Sequence, residues 1–203
     1  TPTSNLATVY GSTWSQVGST IVGTGAYSYF GQSMRMSKDG TTVVIGAPQT
    51  TNPTKGYVGV YKNISGTWTR LGSLIYGDSQ SDHFGESVAI SADGTIIAVG
   101  APQHNGFFAV GSGYVKVFKY VNTDWVQQGA NITGGGSNFR NGGSVSISAN
   151  GKIVAMGENG YITNSVNLGR VRIFVYDESN TTVAPTGWTQ LGGDFYGPSD
   201  GSW

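Results

Sequence analysis

Short runs of apolar and β-branched residues, separated by glycine-rich turns, divide the chain into strands. Residues 87–91 (Ser-Val-Ala-Ile-Ser) and 95–99 (Thr-Ile-Ile-Ala-Val) have no helical period, so each is predicted to be a strand. Residues 114–120 alternate in character with period two, which predicts a third strand with one buried face. A fourth strand is predicted at residues 125–129. The pattern therefore predicts a four-stranded unit without a helix.

Turn residues connect the first two of these strands. The pair Asp93-Gly94 lies between them and favours the positive φ angles of a tight primed hairpin turn. Gly100-Ala101-Pro102 ends the second strand, because proline cannot donate a hydrogen bond to a neighbouring strand. The two strands are therefore predicted to be antiparallel neighbours in one sheet.

This unit recurs along the chain. Tryptophan opens the same phrase, Trp-x-x-x-Gly, four times, at Trp14, Trp68, Trp125 and Trp188. After the first three tryptophans come FGQSMRMSKDGTTVVIGAPQ from residue 30, FGESVAISADGTIIAVGAPQ from residue 84 and NGGSVSISANGKIVAMGENG from residue 141. Four antiparallel strands repeated every ~40 to 60 residues are typical of β-propeller blades.

The repeat predicts a single array of about three and a half blades. Its parts are a partial blade (1–22) with only the third and fourth strands, two blades (23–76 and 77–133), and a blade with a tail (134–203). Propellers close with about four to eight blades, so this chain is not expected to close a ring by itself. Unpaired blade edges invite pairing with other chains. Stacked β-sandwiches or a three-fold β-prism are the competing folds.

Composition excludes several classes of protein. The 203 residues carry no net charge and only 11% of them are charged, which leaves no basic surface for nucleic acid. No apolar run approaches the ~20 residues that a membrane-spanning helix needs. Cysteine is absent, so disulfides, thiolate zinc sites and cysteine nucleophiles are excluded.

The same composition favours an exported protein. Charge is low, Ser, Thr, Asn and Gly are abundant, and three Asn-x-Ser/Thr sequons occur, at Asn63, Asn131 and Asn180. We therefore predict an extracellular, cell-surface or virion or particle-surface location. In a host that glycosylates, the three asparagines are the predicted acceptors.

Two units carry a motif of a known family. Phe30-Gly31 with 46–48 (Gly-Ala-Pro), and Phe84-Gly85 with 100–102, resemble the FG-GAP repeats of integrin-α-type β-propellers. The resemblance covers residues 14–195. The repeats are similar to a subfamily that is found in tandem in large surface or secreted proteins. It implies the propeller fold and says little about the ligand. The third unit departs from the motif, with Asn-Gly at 141–142 and Gly-Glu-Asn at 157–159.

No metal or cofactor is predicted. The resemblance implies a calcium-binding loop between the first two strands of a blade. In this chain the equivalent turns, at 38–40, 92–94 and 149–151, are short and hold at most one carboxylate each. Calcium needs six to eight oxygen ligands. Asp78 and Asp82 offer two carboxylates, without counterparts in the other units.

Catalytic motifs are also missing. The sequence has no Gly-x-Ser-x-Gly elbow, zinc-protease helix or phosphate-binding loop. Asp39 and Asp93 are explained by turn chemistry, and the other acidic residues are scattered. We predict that the protein is not an enzyme; the remaining enzymatic alternative is a glycan-active hydrolase whose pair of acids is not visible in the sequence.

Two kinds of side chain are candidates for ligand binding. The first is the two histidines, His83 and His104, which fall in loops of one unit; they are either solvated or share a weak metal or proton site. The second is a group of loop aromatics that the strand pattern does not need: Tyr27, Tyr29, Phe107, Phe108, Phe139 and Tyr161. These rings either fill gaps between blades or bind a glycan or protein. The repeated tryptophans are predicted to pack between blades rather than to stack on sugars.

The predicted function follows from these points. Variable loops gather on one face, because strands that run alternately up and down bring the fourth-to-first and second-to-third connections together. We predict a non-catalytic module for adhesion, recognition or structural assembly through protein–protein contacts, including contacts with other copies of itself through blade edges. The alternative is a carbohydrate-binding lectin that uses the aromatic loops.

Overall fold

A computed structural model describes residues 15–48, 55–103, 112–134, 140–163 and 166–198. The strands are β1 (Ser33–Met36), β2 (Thr42–Ala47), β3 (Tyr57–Ile64), β4 (Thr67–Arg70), β5 (Ile75–Tyr76), β6 (Ser87–Ile90), β7 (Ile96–Ala101), β8 (Tyr114–Val121), β9 (Asp124–Gln127), β10 (Ile132–Thr133), β11 (Asn141–Ile147), β12 (Ile153–Glu158), β13 (Ile162–Thr163), β14 (Val166–Asn167), β15 (Arg170–Tyr176), β16 (Trp188–Gln190) and β17 (Phe195–Tyr196). The described residues contain no helix. The predicted all-β fold is confirmed.

The strands form three antiparallel sheets, which we call the first, second and third blades. In the first blade β1, β2, β3 and β4 lie in sequence order, and β5 also pairs with β3. The second blade repeats this arrangement with β6, β7 and β8, and with β9 and β10 both paired to β8. The third blade has β11, β12 and β15, with β16 and β17 both paired to β15. A separate hairpin joins β13 and β14.

The outer strand of each blade extends beyond the segment predicted for it, which ends at the glycine of the Trp-x-x-x-Gly phrase, as at residues 125–129 of the second blade. In the first blade it is split into β4 and β5, which pair with different ends of β3. The split follows Gly72, whose φ is +75°, and the equivalent Gly129 and Gly192 have φ of +71° and +76°. Left-handed glycine turns the chain out of the ladder at the end of each Trp-x-x-x-Gly phrase.

The prediction of a primed turn between the first two strands is also wrong. Only the glycine has positive φ, as for Gly40 (+73°), whose N–H donates to the Ser37 carbonyl at 3.0 Å. This is a type I turn followed by a left-handed glycine. The Asp39 carboxylate accepts hydrogen bonds from the Ser37 hydroxyl (2.6 Å) and the Thr41 N–H (3.0 Å), which stabilise this right-handed turn.

The hydrophobic core lies between consecutive blades. Val44, Val58 and Val60 of the first blade share one buried cluster with Phe84 and Val99 of the second blade. A second cluster joins the second and third blades in the same way. Burying a Val, Ile or Phe side chain stabilises by about 1.5–3 kcal/mol. The blades therefore pack side by side in chain order, as in a propeller-like array.

The partial blade predicted at the N-terminus lies mostly outside the described residues. Its proposed third strand, residues 6–10, is outside them, and residues 15–18 of its proposed fourth strand are in no strand. Among the described residues no helix has the length and apolar character needed to cross a membrane.

Candidate binding surfaces

The repeated tryptophan joins each blade to the element before it. Its indole N–H donates to the carbonyl that precedes the glycine of the previous Trp-x-x-x-Gly phrase. The three bonds are Trp68 to Val17 (2.9 Å), Trp125 to Leu71 (2.8 Å) and Trp188 to Gln128 (3.1 Å). Trp125 and Trp188 are buried. These contacts confirm the predicted packing role for both side chains; Trp14 and Trp203 lie outside the described residues.

The Phe-Gly and Gly-Ala-Pro motifs meet between blades. A β-carbon on Gly46 would lie 2.0 Å from the Gly85 carbonyl oxygen, and one on Gly100 would lie 2.0 Å from that of Gly142. The same carbonyls accept hydrogen bonds from Ser33 (2.6 Å) and Ser87 (2.7 Å) of the preceding blade, respectively. The first glycine of Gly-Ala-Pro is thus needed because the backbone of the next blade approaches so closely.

A third contact links the turns of successive blades. The Lys38 N–H donates to the Ala92 carbonyl at 3.1 Å, and the Ala92 N–H donates to the Ala149 carbonyl at 2.9 Å. Each junction between blades is therefore closed by the same set of polar contacts around an apolar centre.

On the third blade, the face that points away from the second blade carries the same groups, and no described residue of another blade covers them; we call this face the open flank. Its residues are Ser144, Ala149, Gly157, Val171 and Leu191. Within the described part of the chain, the Ser144 hydroxyl, the Ala149 N–H and the Leu191 carbonyl make no hydrogen bond. Val171 is 42% exposed, whereas its counterparts Val58 and Val115 are fully buried.

A cleft of about 450 Å³ lies on the open flank. Its wall includes Ser144, Gly157 and Val171 together with Glu158, Arg170 and Tyr196. The glycine and valine of this wall correspond to the surface on which Gly85 and Gly142 pack in the two closed junctions. The cleft is therefore the place where a next blade would make its closest approach.

A charged cluster of Glu158, Arg170, Arg172 and Asp194 lies beside this cleft. The buried Glu158 carboxylate accepts hydrogen bonds from Arg170 Nη2 (2.5 Å) and Arg172 Nε (2.7 Å). Arg170 Nη1 also donates to Asp194 at 2.9 Å. By register, Glu158 and Arg170 stand where the second blade has Ala101 and Tyr114. The third blade thus replaces an apolar pair by an ion pair.

Tyr161, predicted as a ligand-binding aromatic, belongs to this cluster. Its ring centre lies 4.2 Å from Arg170 Cζ and 5.5 Å from the Tyr196 ring centre. Tyr196 donates a hydrogen bond to Asp194 at 3.0 Å, which raises the pKa of Tyr196. Burial alone would raise the pKa of Asp194, but hydrogen bonds from Gln190, Tyr196 and Arg170 lower it. Tyr161 is half-buried, and its ring is engaged within the protein.

Tyr27 and Tyr29, which we call the tyrosine pair, are presented to solvent. They are 75% and 51% exposed, and the intervening Ser28 is buried. Both have left-handed backbone angles, with φ of +58° and +53°, a conformation uncommon outside glycine. The Tyr29 carbonyl accepts a hydrogen bond from the Gln32 N–H at 3.0 Å, so the loop is anchored to the start of β1.

His83 occupies the position equivalent to Tyr29 before the second Phe-Gly pair. It has φ of +55° and lies 3.2 Å from Glu86, measured from Nδ1 to Oε2. The other predicted ligand-binding residues, His104, Phe107, Phe108 and Phe139, lie outside the described residues. Within the described ranges no group of three or more His, Cys, Asp and Glu side chains is arranged to hold a metal.

A polar groove of about 500 Å³ runs between the first strands of the three blades. Its polar lining consists of Gln32, Ser33, Arg35, Glu86, Ser87 and Ser144. It starts two residues after Tyr29 in the chain. The pattern along one strand does not predict this groove, because its lining comes from all three blades, with five residues from the first and three each from the second and third.

The two carboxylates noted in the sequence are used in structural contacts. Buried Asp82 accepts hydrogen bonds from the Tyr114 hydroxyl (2.9 Å) and the Ser79 N–H (2.8 Å). Burial raises the pKa of Tyr114. Asp78 pairs with Lys116 at 2.5 Å. These bonds tie the loop before β6 to β8.

The three sequons differ in how their side-chain amides are used. Asn180 Nδ2 donates to the carbonyls of Trp188 (2.7 Å) and Pro185 (3.3 Å), so both of its hydrogens are engaged. Asn131 Nδ2 donates to Asp78 at 3.2 Å. Asn63 lies at a hairpin tip, where its Oδ1 accepts the Gly66 N–H at 2.8 Å. Asn63 is therefore the sequon whose amide is most available.

Comparison with known families agrees with the repeat. Residues 68–118, from the outer strand of the first blade into β8, match the FG-GAP repeat family. The predicted resemblance to FG-GAP repeats is confirmed over this stretch. Comparison with curated proteins finds no match.

Two solved structures are similar to this chain to different degrees. A crystal structure named "putative 6-phosphogluconolactonase", from Bacteroides uniformis ATCC 8492, has a TM-score of 0.51 at 15% identity, over 82% of this chain and 40% of that chain. A hypothetical selenium-binding protein from Sulfolobus tokodaii has a TM-score of 0.46 at 11% identity, over 81% of this chain and 42% of that chain. This chain thus spans about two fifths of each. At 15% identity, the first likeness supports the β-propeller-like fold alone.

Proposed function

We propose that this chain is a non-catalytic β-propeller module that acts in recognition, adhesion or assembly through protein–protein contacts on a cell or particle surface. The observation that carries the proposal is the tyrosine pair, Tyr27 and Tyr29. Two large rings are held out in solvent by a loop anchored to β1. Tyrosine is enriched at protein interfaces, where its ring buries apolar area and its hydroxyl finds a partner.

The use of the acidic side chains supports a non-catalytic role. General acid–base chemistry needs a carboxyl group that faces a cleft and exchanges its proton with a substrate. Asp39 and Asp93 hold turns, Asp78 and Asp82 hold the loop before β6, and Glu158 is ion-paired. Each of these groups has a structural partner that accounts for its presence.

The proposal is tested by binding of the full chain to an array of extracellular and particle-surface proteins. Replacing both members of the tyrosine pair (Tyr27→Ala with Tyr29→Ala) is expected to weaken binding to any protein that binds on the array by at least ~10-fold, as for an interface hot spot. Tyr76→Ala is the matched control, because Tyr76 is also about half exposed (55%) but lies outside the loop. Absence of binding, or equal loss in both variants, contradicts the proposal.

A lectin is the second candidate, and the same tyrosine pair favours it. Exposed rings beside uncharged polar groups also suit stacking on a sugar and hydrogen bonding to its hydroxyls. The polar groove between the blades adds hydrogen-bonding groups, both uncharged (Gln32, Ser33 and Ser87) and charged (Arg35 and Glu86). A glycan array separates the two functions: binding that the Tyr27→Ala and Tyr29→Ala variant loses and Tyr76→Ala keeps would favour the lectin.

The predicted glycosylation has its own test. Expression in a glycosylating eukaryotic host, followed by peptide mapping, is expected to find glycan on Asn63 and none on Asn180, since the Asn180 amide is fully engaged inside the fold. Glycan on Asn180 with an intact fold would contradict this assignment.

A further inference from the structure

We propose that the open flank is a docking site for a further blade of the FG-GAP type, which enters with an uncharged Xaa-Gly dipeptide and a tryptophan. The proposal concerns assembly through a blade flank and does not depend on the tyrosine pair. Its basis is that the open flank repeats, group by group, the surface that receives the next blade in both closed junctions.

The hydrogen-bonding groups of the open flank have defined counterparts. Ser144 corresponds to Ser33 and Ser87, whose hydroxyls donate to the glycine carbonyl of the next blade. Leu191 corresponds to Gln128, whose carbonyl accepts the indole N–H of the next tryptophan at 3.1 Å. A next blade would therefore bring one acceptor for Ser144 and one donor for the Leu191 carbonyl.

The Ala149 N–H adds a third such group. Its counterpart Ala92 donates to the carbonyl of the next turn at 2.9 Å. A next blade in the same register would supply the equivalent carbonyl. The three groups are spread from the turn of the third blade to its outer strand, so one blade in one orientation satisfies all of them.

The glycines of the open flank leave room for such a blade. A β-carbon on Gly129 would lie 2.4 Å from Trp188 Nε1, whereas one on Gly192, the equivalent position, meets nothing within 4 Å. A β-carbon on Gly157 would meet only the Ser144 side chain, without the backbone carbonyl that lies 2.0 Å from its counterpart on Gly100. Both positions have the space that a tryptophan and an Xaa-Gly dipeptide occupy elsewhere in the chain.

Exposed apolar side chains on the open flank also support a docking site there. Val171 (42% exposed) and Phe195 (60%) are the counterparts of Val115 and Ile132, which are fully buried in the closed junction. Exposed apolar side chains that form one patch mark interaction sites more often than scattered ones do. Covering this patch would remove the largest difference in burial between the second and third blades.

The charged cluster defines the chemistry of the incoming dipeptide. Its two carboxylates and two guanidinium groups balance, and they are bonded to one another. A charged residue placed against this balanced cluster would lose hydration without gaining a partner. The occupant therefore carries an uncharged residue before its glycine, as Phe84 and Asn141 do in the two closed junctions.

The test places a known blade on the open flank, in place of residues 198–203. Residues 1–197 are followed by a second copy of residues 78–133, so that Gly197 takes the place that Gly77 has before the second blade. The chain has no cysteine, so Val171→Cys provides a single thiol as a probe. Docking is expected to slow labelling of this thiol at least ~10-fold relative to the chain without the added blade.

Two further variants control the test. Val115→Cys, in the closed junction, is expected to label slowly with or without the added blade. Gly157→Val in the extended chain is expected to restore fast labelling of the Val171→Cys thiol, because its side chain fills the place of the incoming glycine. A β-carbon at this position meets only the Ser144 side chain, which can move aside, so the third blade is expected to keep its fold.

Each outcome decides the proposal. Slow labelling that Gly157→Val reverses supports it. Equal labelling with and without the added blade overturns it, whether the added blade remains undocked or unfolded. Labelling of the unextended chain that slows as protein concentration rises overturns the stated occupant in favour of a second copy of the chain. None of these results changes the expected role of Tyr27 and Tyr29, which is measured separately.

Discussion

The junction between the second and third blades and the open flank are built from the same sequence phrases but differ in their neighbours. In the junction, Gly100, Val115 and Gln128 contact the third blade directly. On the open flank, the equivalent Gly157 and Val171 face a cleft. This difference indicates that the repeated motif encodes contacts between blades. The Phe-Gly and Gly-Ala-Pro phrases therefore account for contacts between blades.

The third blade also differs in the chemistry of its core. The second blade has the neutral pair Ala101 and Tyr114, and the third blade has Glu158 and Arg170 at the same register. Replacing Glu158 by Ala is expected to cost about 3–5 kcal/mol of unfolding free energy, because two guanidinium groups lose their buried partner. Urea denaturation of the variant measures this loss.

A compensating variant sharpens this prediction. Glu158→Ala combined with Arg170→Tyr recreates the pair of the second blade and is expected to recover more than half of the lost stability. If the double variant is as unstable as Glu158→Ala alone, the two blades do not share an interchangeable core.

Replacing equivalent glycines by alanine should destabilise the closed junction more than the open flank. Gly100→Ala forces a β-carbon against the Gly142 carbonyl at 2.0 Å and is expected to cost about 3 kcal/mol. Gly157→Ala meets only the mobile end of the Ser144 side chain and is expected to cost less than about 1 kcal/mol. Midpoints of urea unfolding measure both, and equal losses would contradict the distinction between closed junction and open flank.

The tryptophan contacts should differ with burial. Trp188→Phe removes the indole N–H that donates to the Gln128 carbonyl in a buried site, at an expected cost of about 1–2 kcal/mol. Trp68→Phe removes the equivalent bond to Val17 in an exposed site, and about 0.5 kcal/mol is expected. Thermal unfolding of the two variants compares them; a larger effect at Trp68 would be inconsistent with the buried junction as the stabilising one.

The smallest expected effect concerns the turns. Hydrogen bonds from the Ser37 hydroxyl and the Thr41 N–H lower the pKa of Asp39 from 3.8 to about 2. Because the folded-state pKa is depressed, the stabilisation is present above the unfolded value and is lost as pH falls from about 4 to about 2. The third blade has Asn150 at this position, and its Oδ1 accepts the same two kinds of bond.

Asp39→Asn should therefore give the first blade the acid behaviour of the third. The variant is expected to keep its fold at neutral pH and to lose less stability than the native chain between about pH 4 and pH 2. Urea midpoints across this range measure the slope. An unchanged slope would mean that Asp39 does not contribute to acid unfolding.

The blades could be predicted from sequence because their signals are local. The β-branched runs, the Asp-Gly turn and the spacing of tryptophans each lie within one unit, and repetition reinforces them. The turn type was wrong because the Asp39 side chain, which bonds to Ser37 and Thr41, favours a right-handed turn with positive φ only at Gly40. The short strand β5 was not predicted, because it has only two residues and follows the left-handed turn at Gly72.

The candidate surfaces could be predicted only in part, since they depend on relative positions of distant residues. The sequence places Tyr27 and Tyr29 in a loop, but their exposure depends on the packing of the first blade. The departure from Gly-Ala-Pro at Glu158 is visible in the sequence, yet its partner Arg170 follows only from strand register. Tyr161 looked like a loop aromatic and stacks on that arginine.

Amide hydrogen exchange of the unmodified chain tests the central comparison most directly. The Ala92 N–H donates across the junction to the Ala149 carbonyl, whereas the Ala149 N–H has no acceptor among the described residues. Both amides lie in equivalent turns, so the difference in their protection, after correction for intrinsic exchange rates, reports the neighbouring blade. Exchange at Ala92 at least ~100-fold slower than at Ala149 is the predicted result. Equal protection of the two amides in dilute protein would contradict the claim that the third blade presents an unfilled junction.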